Sequence, residues 1–329
     1  MSGRIVVTGG LGFIGSAFVR AAAAAGEPVL NVDLDTYAGD ERRLAGLAAD
    51  AVETVRMDVA SPDLIELVAA ERPPLIAHFA AESHVTRSED GPAAFFHANV
   101  EGTRNVLAAA EGAAARVLHI STDEIYGPCP GDPFDEDAKL PGEGLATSAY
   151  ARSKALADDL ALGRADRVDV VVARPTNCIG PWQHPEKAVP RWTTRALRGD
   201  RLPVWGDGRQ VRDWMYVGDA VAALRLLAER GERGRAYNVG PEAEGIPNID
   251  IARMVARAAG LDDDAVYLSS YDRPMHDRRY AVSTRRIAAL GWRPAHALSR
   301  AIADTVEWYR ANEAWWRSLV PEAESLYAD

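Results

Sequence analysis

Cysteine is scarce in this chain. Among 329 residues only Cys129 and Cys178 are present, and neither belongs to a CxxC pair. Two cysteines are too few for a disulfide framework of the kind that supports secreted domains. We therefore expect a protein of a reducing compartment, and we interpret it as cytoplasmic.

An excess of positive charge and a long apolar run are also lacking. The net charge is −11, whereas a surface that follows nucleic-acid phosphates should be basic, so we exclude nucleic acid as a partner. A local group of Arg and Lys could still hold a small phosphorylated ligand. No apolar stretch approaches the roughly 18 residues of a membrane span, so we expect no membrane contact.

Several catalytic motifs are missing as well. The seven histidines show no HxxxH spacing, so we expect no metal site. Neither a GxSxG nucleophile turn nor a phosphate-binding GK[ST] loop occurs. These absences disfavour metalloenzymes, serine hydrolases and P-loop nucleotide hydrolases.

Short β-branched runs alternate with helical patterns over the first half of the chain. The predicted strands cover residues 5–7, 29–32, 52–57, 75–79, 117–120 and 168–173. Helical patterns lie between them, including a long one at about 93–111. This alternation predicts an α/β fold with a Rossmann-type doubly wound parallel sheet. An acidic stretch at 132–137 is typical of a surface loop.

After Gly180 the regular alternation weakens and proline becomes frequent. We therefore predict a coenzyme-binding domain over 1–180 and a smaller C-terminal α/β domain, mainly for substrate, over 181–329. A helical segment and a strand near 210–240 indicate that the chain returns to the first domain there.

A glycine-rich turn follows the first strand. Gly10, Gly12 and Gly15 have GxGxxG spacing between a strand and a helix, and Asp33 ends the next strand. This context indicates dinucleotide binding, with backbone N–H groups near a pyrophosphate. A carboxylate at Asp33 favours NAD over NADP. The alternatives are that Asp35 matters as much or that Asp33 only caps the loop.

Polar residues follow the strand that ends at Ile120. Ser121 to Gly127 contains Asp123 and Glu124, and Tyr150 lies four residues before Lys154 on a predicted helix. An ammonium on the same helix face would stabilise a phenolate, which could then act as a base. The alternative is that the two acids are solvated loop carboxylates and that Tyr150 is a packing residue.

Together these motifs resemble the extended short-chain dehydrogenase/reductase family, with its TGGxGFIG turn and YxxxK pair. Within it the sequence is similar to the dTDP-glucose 4,6-dehydratases, and Thr122-Asp123-Glu124 is the most specific element. Supporting stretches are residues 33–40, 81–85, 185–187, 211–214 and 272–280.

The resemblance implies catalytic roles. Tyr150, assisted by Lys154, takes the proton of the sugar C4 hydroxyl while hydride passes to NAD, and Thr122 contacts the C4 oxygen. Glu124 then removes the C5 proton, and Asp123 protonates the departing C6 hydroxyl. NAD would stay tightly bound and be regenerated in each turnover. The product would be a 4-keto-6-deoxy sugar.

The resemblance also implies binding residues. For NAD we expect Gly9, Gly12, Phe13, Ile14, Gly15, Asp33, Asp35, Thr36, Asp58, Val59, Ala80, Tyr150 and Lys154. For the nucleotide sugar we expect Ser83, His84, Thr122, Asn177, Lys187, Pro203, Trp205, Arg212, Arg273 and His276. A homodimer joined by the helices around the Tyr150 segment is also implied.

Some positions depart from the family pattern. Trp205 stands where the family usually has Tyr, Cys178 replaces an Asn, Met275 replaces a Gly, and residues 241–245 differ from an Asn-containing loop. The nucleobase is therefore open, and a UDP-sugar dehydratase is an alternative. A 4-epimerase and a non-catalytic NAD-binding sensor are weaker ones.

Overall fold

The computed structural model describes residues 3–140, 148–242, 245–271 and 277–327. Its strands β1 to β13 are Ile5–Thr8, Val29–Asp33, Val52–Arg56, Leu75–His78, Arg116–Ile120, Val170–Pro175, Asn177–Ile179, Leu202–Trp205, Val211–Arg212, Trp214–Tyr216, Arg235–Val239, Ile246–Pro247 and Val266–Ser269. Its α-helices α1 to α13 are Phe13–Ala24, Asp63–Glu71, Val85–Asp90, Pro92–Phe96, Gly102–Ala113, Ala149–Gly163, Ala188–Leu197, Val217–Arg230, Asn248–Ala259, Arg285–Ala289, Leu298–Ala311, Glu313–Trp316 and Val320–Ser325.

Seven parallel strands form the central sheet in the order β11-β6-β5-β4-β1-β2-β3. The order reverses between β1 and β4, and the loops at the carboxyl ends of these strands separate there to form a crevice. The predicted doubly wound parallel sheet is confirmed. The strand β11 pairs with β6 at the edge of this sheet.

Alternate side chains of the strands enter two apolar layers. Val7 packs with α1 and α8 on one face, while Val6 packs with α2 and α5 on the other, and both are fully buried. Because helices cover both faces, the strands are apolar on both sides. The polar residues that follow the strands therefore gather at the sheet edge.

The predicted helix at 93–111 is interrupted. Between α4 and α5 the residues His97–Glu101 form one π-helical turn. Asn99 in this turn is buried and bonds both backbone groups of Glu82 and the hydroxyl of Ser153. The wider π-helical turn thus coincides with hydrogen bonds that link the α4–α5 segment to the loop after β4 and to α6.

The acidic stretch at 132–137 is only partly a surface loop. Glu136 is 9% exposed, and its Oε1 accepts a hydrogen bond of 2.9 Å from the backbone N–H of Asn238. The prediction is wrong at this residue because its carboxylate satisfies a strand backbone group. Phe134, in the same stretch, forms an isolated parallel β-bridge with Val282.

A further apolar cluster lies outside the central sheet. It joins α7, α9 and α11 to β8 through buried residues such as Trp192, Val204, Ile251 and Ile302. Across the described ranges, no helix is both long and apolar enough to cross a bilayer. Cys129 and Cys178 are both buried free thiols.

Candidate active site

The glycine turn after β1 leaves no room for side chains. A Cβ at Gly9, whose φ is 76°, would lie 2.5 Å from the backbone nitrogen of Ala80. A Cβ at Gly15 would lie 2.2 Å from the carbonyl oxygen of Gly9. The close approach opens the amino end of α1 to a cavity that Gly12, Phe13 and Ile14 line. Such an arrangement suits a pyrophosphate.

Asp33 orders this turn from the next strand. Its carboxylate accepts backbone hydrogen bonds of 2.8 Å from Leu11 and from Asp35, so Asp33 does cap the loop. Burial raises the pKa of Asp33. Asp33 also lines a cavity, together with the expected coenzyme residues Gly9, Gly12, Thr36, Asp58, Val59 and Ala80. The two interpretations of Asp33 therefore do not exclude each other.

Asp35 is also an expected coenzyme residue, but it lines neither the cavity at the amino end of α1 nor the cavity beside Asp33. Its φ is 55°, and its carboxylate lies 3.8 Å from Arg56. Asp58 accepts a backbone hydrogen bond from Ala60 and lies 2.8 Å from the ring of His97.

The predicted catalytic residues meet in one cavity with the glycine turn. Thr122, Asp123, Glu124, Tyr150 and Lys154 all line it. The short 3₁₀ turn Asp123–Tyr126 follows β5 directly, and Thr122 caps it by accepting the backbone N–H of Glu124 at 3.3 Å. The sheet edge and α6 thus bring together residues that lie about thirty positions apart.

Asp123 and Glu124 have different surroundings. Asp123 is 3% exposed, whereas Glu124 is partly exposed. Burial, and then the neighbouring charges of Glu124 and Asp213, hold the pKa of Asp123 well above its usual range. Its Oδ2 makes no hydrogen bond with the described residues. A protonated carboxyl with a free oxygen is suited to proton donation.

Lys154 lies beneath Tyr150 on α6. Its Nζ donates a 2.7 Å hydrogen bond to the carbonyl oxygen of Ile120, and burial lowers its pKa to about 8. Burial and the charge of Glu124 raise the pKa of Tyr150, and a hydrogen bond with Thr122 opposes this only in part. The expected lowering of the Tyr150 pKa is therefore not found with the protein groups alone, because burial and then the neighbouring carboxylates disfavour the phenolate.

A further cavity adjoins the one that Tyr150 and Lys154 line. We call the Tyr150 cavity the first cavity and this one the second cavity. Seven of the expected substrate residues line it: Ser83, His84, Asn177, Lys187, Pro203, Trp205 and Arg212. Ser83, Glu124, Asn177 and Lys187 line both cavities and so mark where they meet. Thr122 lines only the first cavity.

Arg212 has a fixed guanidinium in this second cavity. Its Nη2 donates to the carbonyl oxygen of Asp277 at 2.8 Å, and its Cζ lies 4.0 Å from the ring centroid of Tyr280. Among the described residues it forms no ion pair with a carboxylate. Its charge is available to an anionic ligand.

Other expected contacts are held by backbone and aromatic groups. Lys187 donates from Nζ to the carbonyl oxygen of Ser83 at 3.0 Å, and the buried Oδ1 of Asn177 has no protein partner in the described part of the chain. The ring centroids of Trp205 and Tyr271 are 5.2 Å apart. Arg273 and His276 lie outside the described residues, as does Met275.

Some cavity residues were not predicted. Gln183, Arg191, Tyr280 and Tyr327 line the second cavity but were given no role from sequence. Tyr327 donates from its hydroxyl to the carbonyl oxygen of Glu186 at 2.6 Å and lies 3.0 Å from Nε2 of His84. Contacts over more than 140 residues leave no local sequence signal.

Comparison with known proteins assigns the family. The model of the NAD dependent epimerase/dehydratase family matches residues 5–240. The dTDP-glucose 4,6-dehydratase of Streptomyces niveus is 40% identical over 96% of this chain and 95% of its own length. That of Mycobacterium tuberculosis H37Rv is 38% identical over 99% of both chains.

Solved structures agree with this assignment. DesIV, the dTDP-glucose 4,6-dehydratase of Streptomyces venezuelae with NAD and TYD bound, has a TM-score of 0.90 and 36% identity, covering 96% of this chain and 99% of that one. The UDP-glucose 4-epimerase of Thermus thermophilus has a TM-score of 0.84 and 29% identity, covering 94% and 99%. Sequence, fold and the combined glycine turn and Tyr-Lys pair lead to one conclusion: the chain belongs to the NAD dependent epimerase/dehydratase family.

Proposed function

We propose that this protein is an NAD-dependent hydro-lyase that converts dTDP-glucose to its 4-keto-6-deoxy derivative. The observation that carries this proposal is the pair Asp123 and Glu124 in the same cavity as Tyr150 and Lys154. An epimerase needs the tyrosine and the lysine but has no use for an adjacent acid and base. A sensor would need only the coenzyme cavity.

The residues at the carboxyl edge of the sheet fit NAD. The amino end of α1 would hold the diphosphate, and Asp33, Thr36, Asp58, Val59 and Ala80 would surround the adenosine half. When bound, NAD supplies an acceptor for the C4 hydride and the donor that returns it to C6. No net oxidation results, so the cofactor is retained from one turnover to the next.

The protein groups divide the proton transfers. Tyr150 takes the proton of the C4 hydroxyl, with Lys154 on the same helix face and Thr122 at the C4 oxygen. A ketone at C4 acidifies the C5 proton, which Glu124 removes. Asp123 donates its proton to the C6 hydroxyl as it leaves as water.

The second cavity holds the nucleotide. Arg212 and Asn177 meet the diphosphate, and Lys187 lies where the two cavities join. Trp205, Pro203 and Tyr327 form an aromatic and apolar wall for the base. Because Trp205 replaces the usual Tyr, a UDP-sugar remains the second candidate substrate.

The organisation of the chain follows from these sites. We place the coenzyme domain at 1–180 with a return at about 210–240, and the substrate domain mainly at 181–329. The separate apolar cluster around α7, α9 and α11 supports this division. Two buried free thiols support a reducing, cytoplasmic location.

The test is to incubate the purified protein, without added cofactor, with dTDP-glucose and UDP-glucose separately. We expect dTDP-glucose to lose one water by mass and to give the alkali-sensitive 4-keto chromophore. Product from UDP-glucose alone would show that the substrate carries UDP and not dTDP. Product from neither sugar, in a protein that contains NAD, would contradict the proposed substrate.

A further inference from the structure

Arg43 is a buried cation beside the glycine turn. It lies in the 3₁₀ turn Glu41–Leu44 and is 1% exposed. Its Nη1 donates to the carbonyl oxygens of Leu11 and Ala38, and its Nε donates to that of Trp182 at 3.0 Å. One guanidinium thus links the glycine turn, the loop after β2 and the segment at Trp182.

All three acceptors of Arg43 are neutral. In the described ranges no carboxylate lies within ion-pair distance of this guanidinium. Asp40 and Asp33 are the acids that interact electrostatically with Arg43 from a longer distance. Asp33 already accepts two backbone hydrogen bonds, while Asp40 accepts bonds from Arg42 and from Nε1 of Trp315. A buried cation without a counterion is costly, so the site favours an anionic ligand.

The position of Arg43 identifies which anion. It lines the cavity that also contains Gly9, Gly12, Phe13 and Gly15, and it does not line the second cavity. Its Nη2 makes no hydrogen bond with any residue that the structure describes. A free pair of N–H donors next to the amino end of α1 matches a diphosphate better than any other part of a dinucleotide.

The third acceptor extends the role of Arg43. Trp182 has a φ of 69°, and its ring packs against Trp308 and Trp315 at centroid distances of 4.7 and 5.2 Å. The rigid packing fixes the carbonyl that Arg43 bonds. The residues that follow, Gln183 and His184, line the coenzyme cavity. Arg43 therefore holds this cavity wall to the glycine turn.

We propose that Arg43 binds the diphosphate of NAD and retains the cofactor by joining the glycine turn to the Trp182 segment. This inference rests on the proposed use of NAD but not on the identity of the sugar. It makes Arg43 a cofactor-binding residue in addition to those expected from the sequence.

The test compares Arg43→Met and Arg43→Lys with the matched control Arg42→Met. Arg42 is the adjacent arginine, exposed by about half at its side chain and paired with Asp40. Each purified protein is denatured and its NAD content per chain is measured. We expect the control to retain NAD like the wild type, and Arg43→Met to lose most of it.

Titration of cofactor-free protein then separates a direct contact from general loosening. We expect Arg43→Met to bind ADP at least roughly tenfold more weakly, the loss of about one charge-assisted hydrogen bond, with adenosine binding nearly unchanged. Arg43→Lys keeps the positive charge but lacks the paired N–H donors of the guanidinium. Its ADP affinity should lie between those of the wild type and Arg43→Met, and it serves as the test variant if Arg43→Met does not fold.

Wild-type NAD content and ADP affinity in both Arg43 variants would overturn the proposal. Equal losses for ADP and adenosine, or equal losses in Arg42→Met, would also overturn it, since either would indicate a structural effect. NAD content is measured without substrate, so failure here differs from failure to dehydrate dTDP-glucose.

Discussion

At the scale of single residues, neighbours in sequence acquire different chemistry. Asp123 and Glu124 share a short 3₁₀ turn, yet only Asp123 is fully buried among other acids. The sequence shows the adjacent carboxyl pair, which is enough to suggest divided acid and base roles. It does not show which of them is desolvated, because Asp213 approaches from a distant part of the chain, the residue between β9 and β10.

The division of roles can be tested with two isosteric changes. Glu124→Gln should abolish exchange of the C5 proton with solvent while substrate still partly reduces bound NAD. Asp123→Asn should slow loss of the C6 hydroxyl by roughly 10²- to 10⁴-fold, the usual contribution of a general acid, and leave C5 exchange detectable. Deuterium incorporation and absorbance of the reduced cofactor measure these steps separately.

The pH profile adds an independent check. Because burial holds the pKa of Asp123 well above its usual range, the carboxyl keeps its proton to a higher pH than an exposed aspartic acid does, and the rate should fall as the pH rises through that raised pKa. The alkaline decrease due to Asp123 should be absent in Asp123→Asn. A wild-type rate in this variant, or loss of both exchange and cofactor reduction in Glu124→Gln, would contradict the roles.

At the scale of secondary structure, the first half of the fold is predictable and the distant contacts are not. Strands such as Val29–Asp33 follow from β-branched runs that end in polar residues, because a doubly covered sheet requires buried strands. The π turn at His97–Glu101 has no comparable local signal. The contact of Tyr327 with His84 depends on tertiary packing alone.

The C-terminal helix α13 is held to α7 by one acid. Glu324 accepts hydrogen bonds from Arg191 at 3.0 Å, Arg195 at 3.1 Å and Arg198 at 3.4 Å. The Cζ of Arg191 also lies 4.4 Å from the ring centroid of Tyr327, which lines the second cavity. The position of this cavity wall therefore depends on Glu324.

We predict that Glu324→Gln raises KM for the nucleotide sugar by roughly tenfold and changes kcat little, because a partly buried ion-pair network loses its acid while the catalytic cavity is untouched. Steady-state kinetics measure this effect. The control Glu307→Gln removes an exposed acid paired with Arg310 on α11 and should leave KM unchanged. Equal KM values in the two variants would exclude the proposed role of α13.

At the scale of the whole molecule, we propose a homodimer joined through the helices around Tyr150, α6 among them. Leu156 on α6 is 40% exposed although its neighbours on the helix are mostly buried. The opposite face of α6 carries Tyr150 and Lys154 into the active site. A partner packed on α6 would thus cover an exposed apolar side chain and steady the catalytic helix.

The prediction is that light scattering gives about twice the chain mass of 35.5 kDa for the wild type and the mass of one chain for Leu156→Glu. A carboxylate in a buried interface would lose hydration without a partner, which should favour dissociation. Leu268→Glu is the matched control, because Leu268 is 52% exposed on β13, away from α6. It should remain dimeric. A monomeric wild type, or dissociation in both variants, would show that α6 is not the interface.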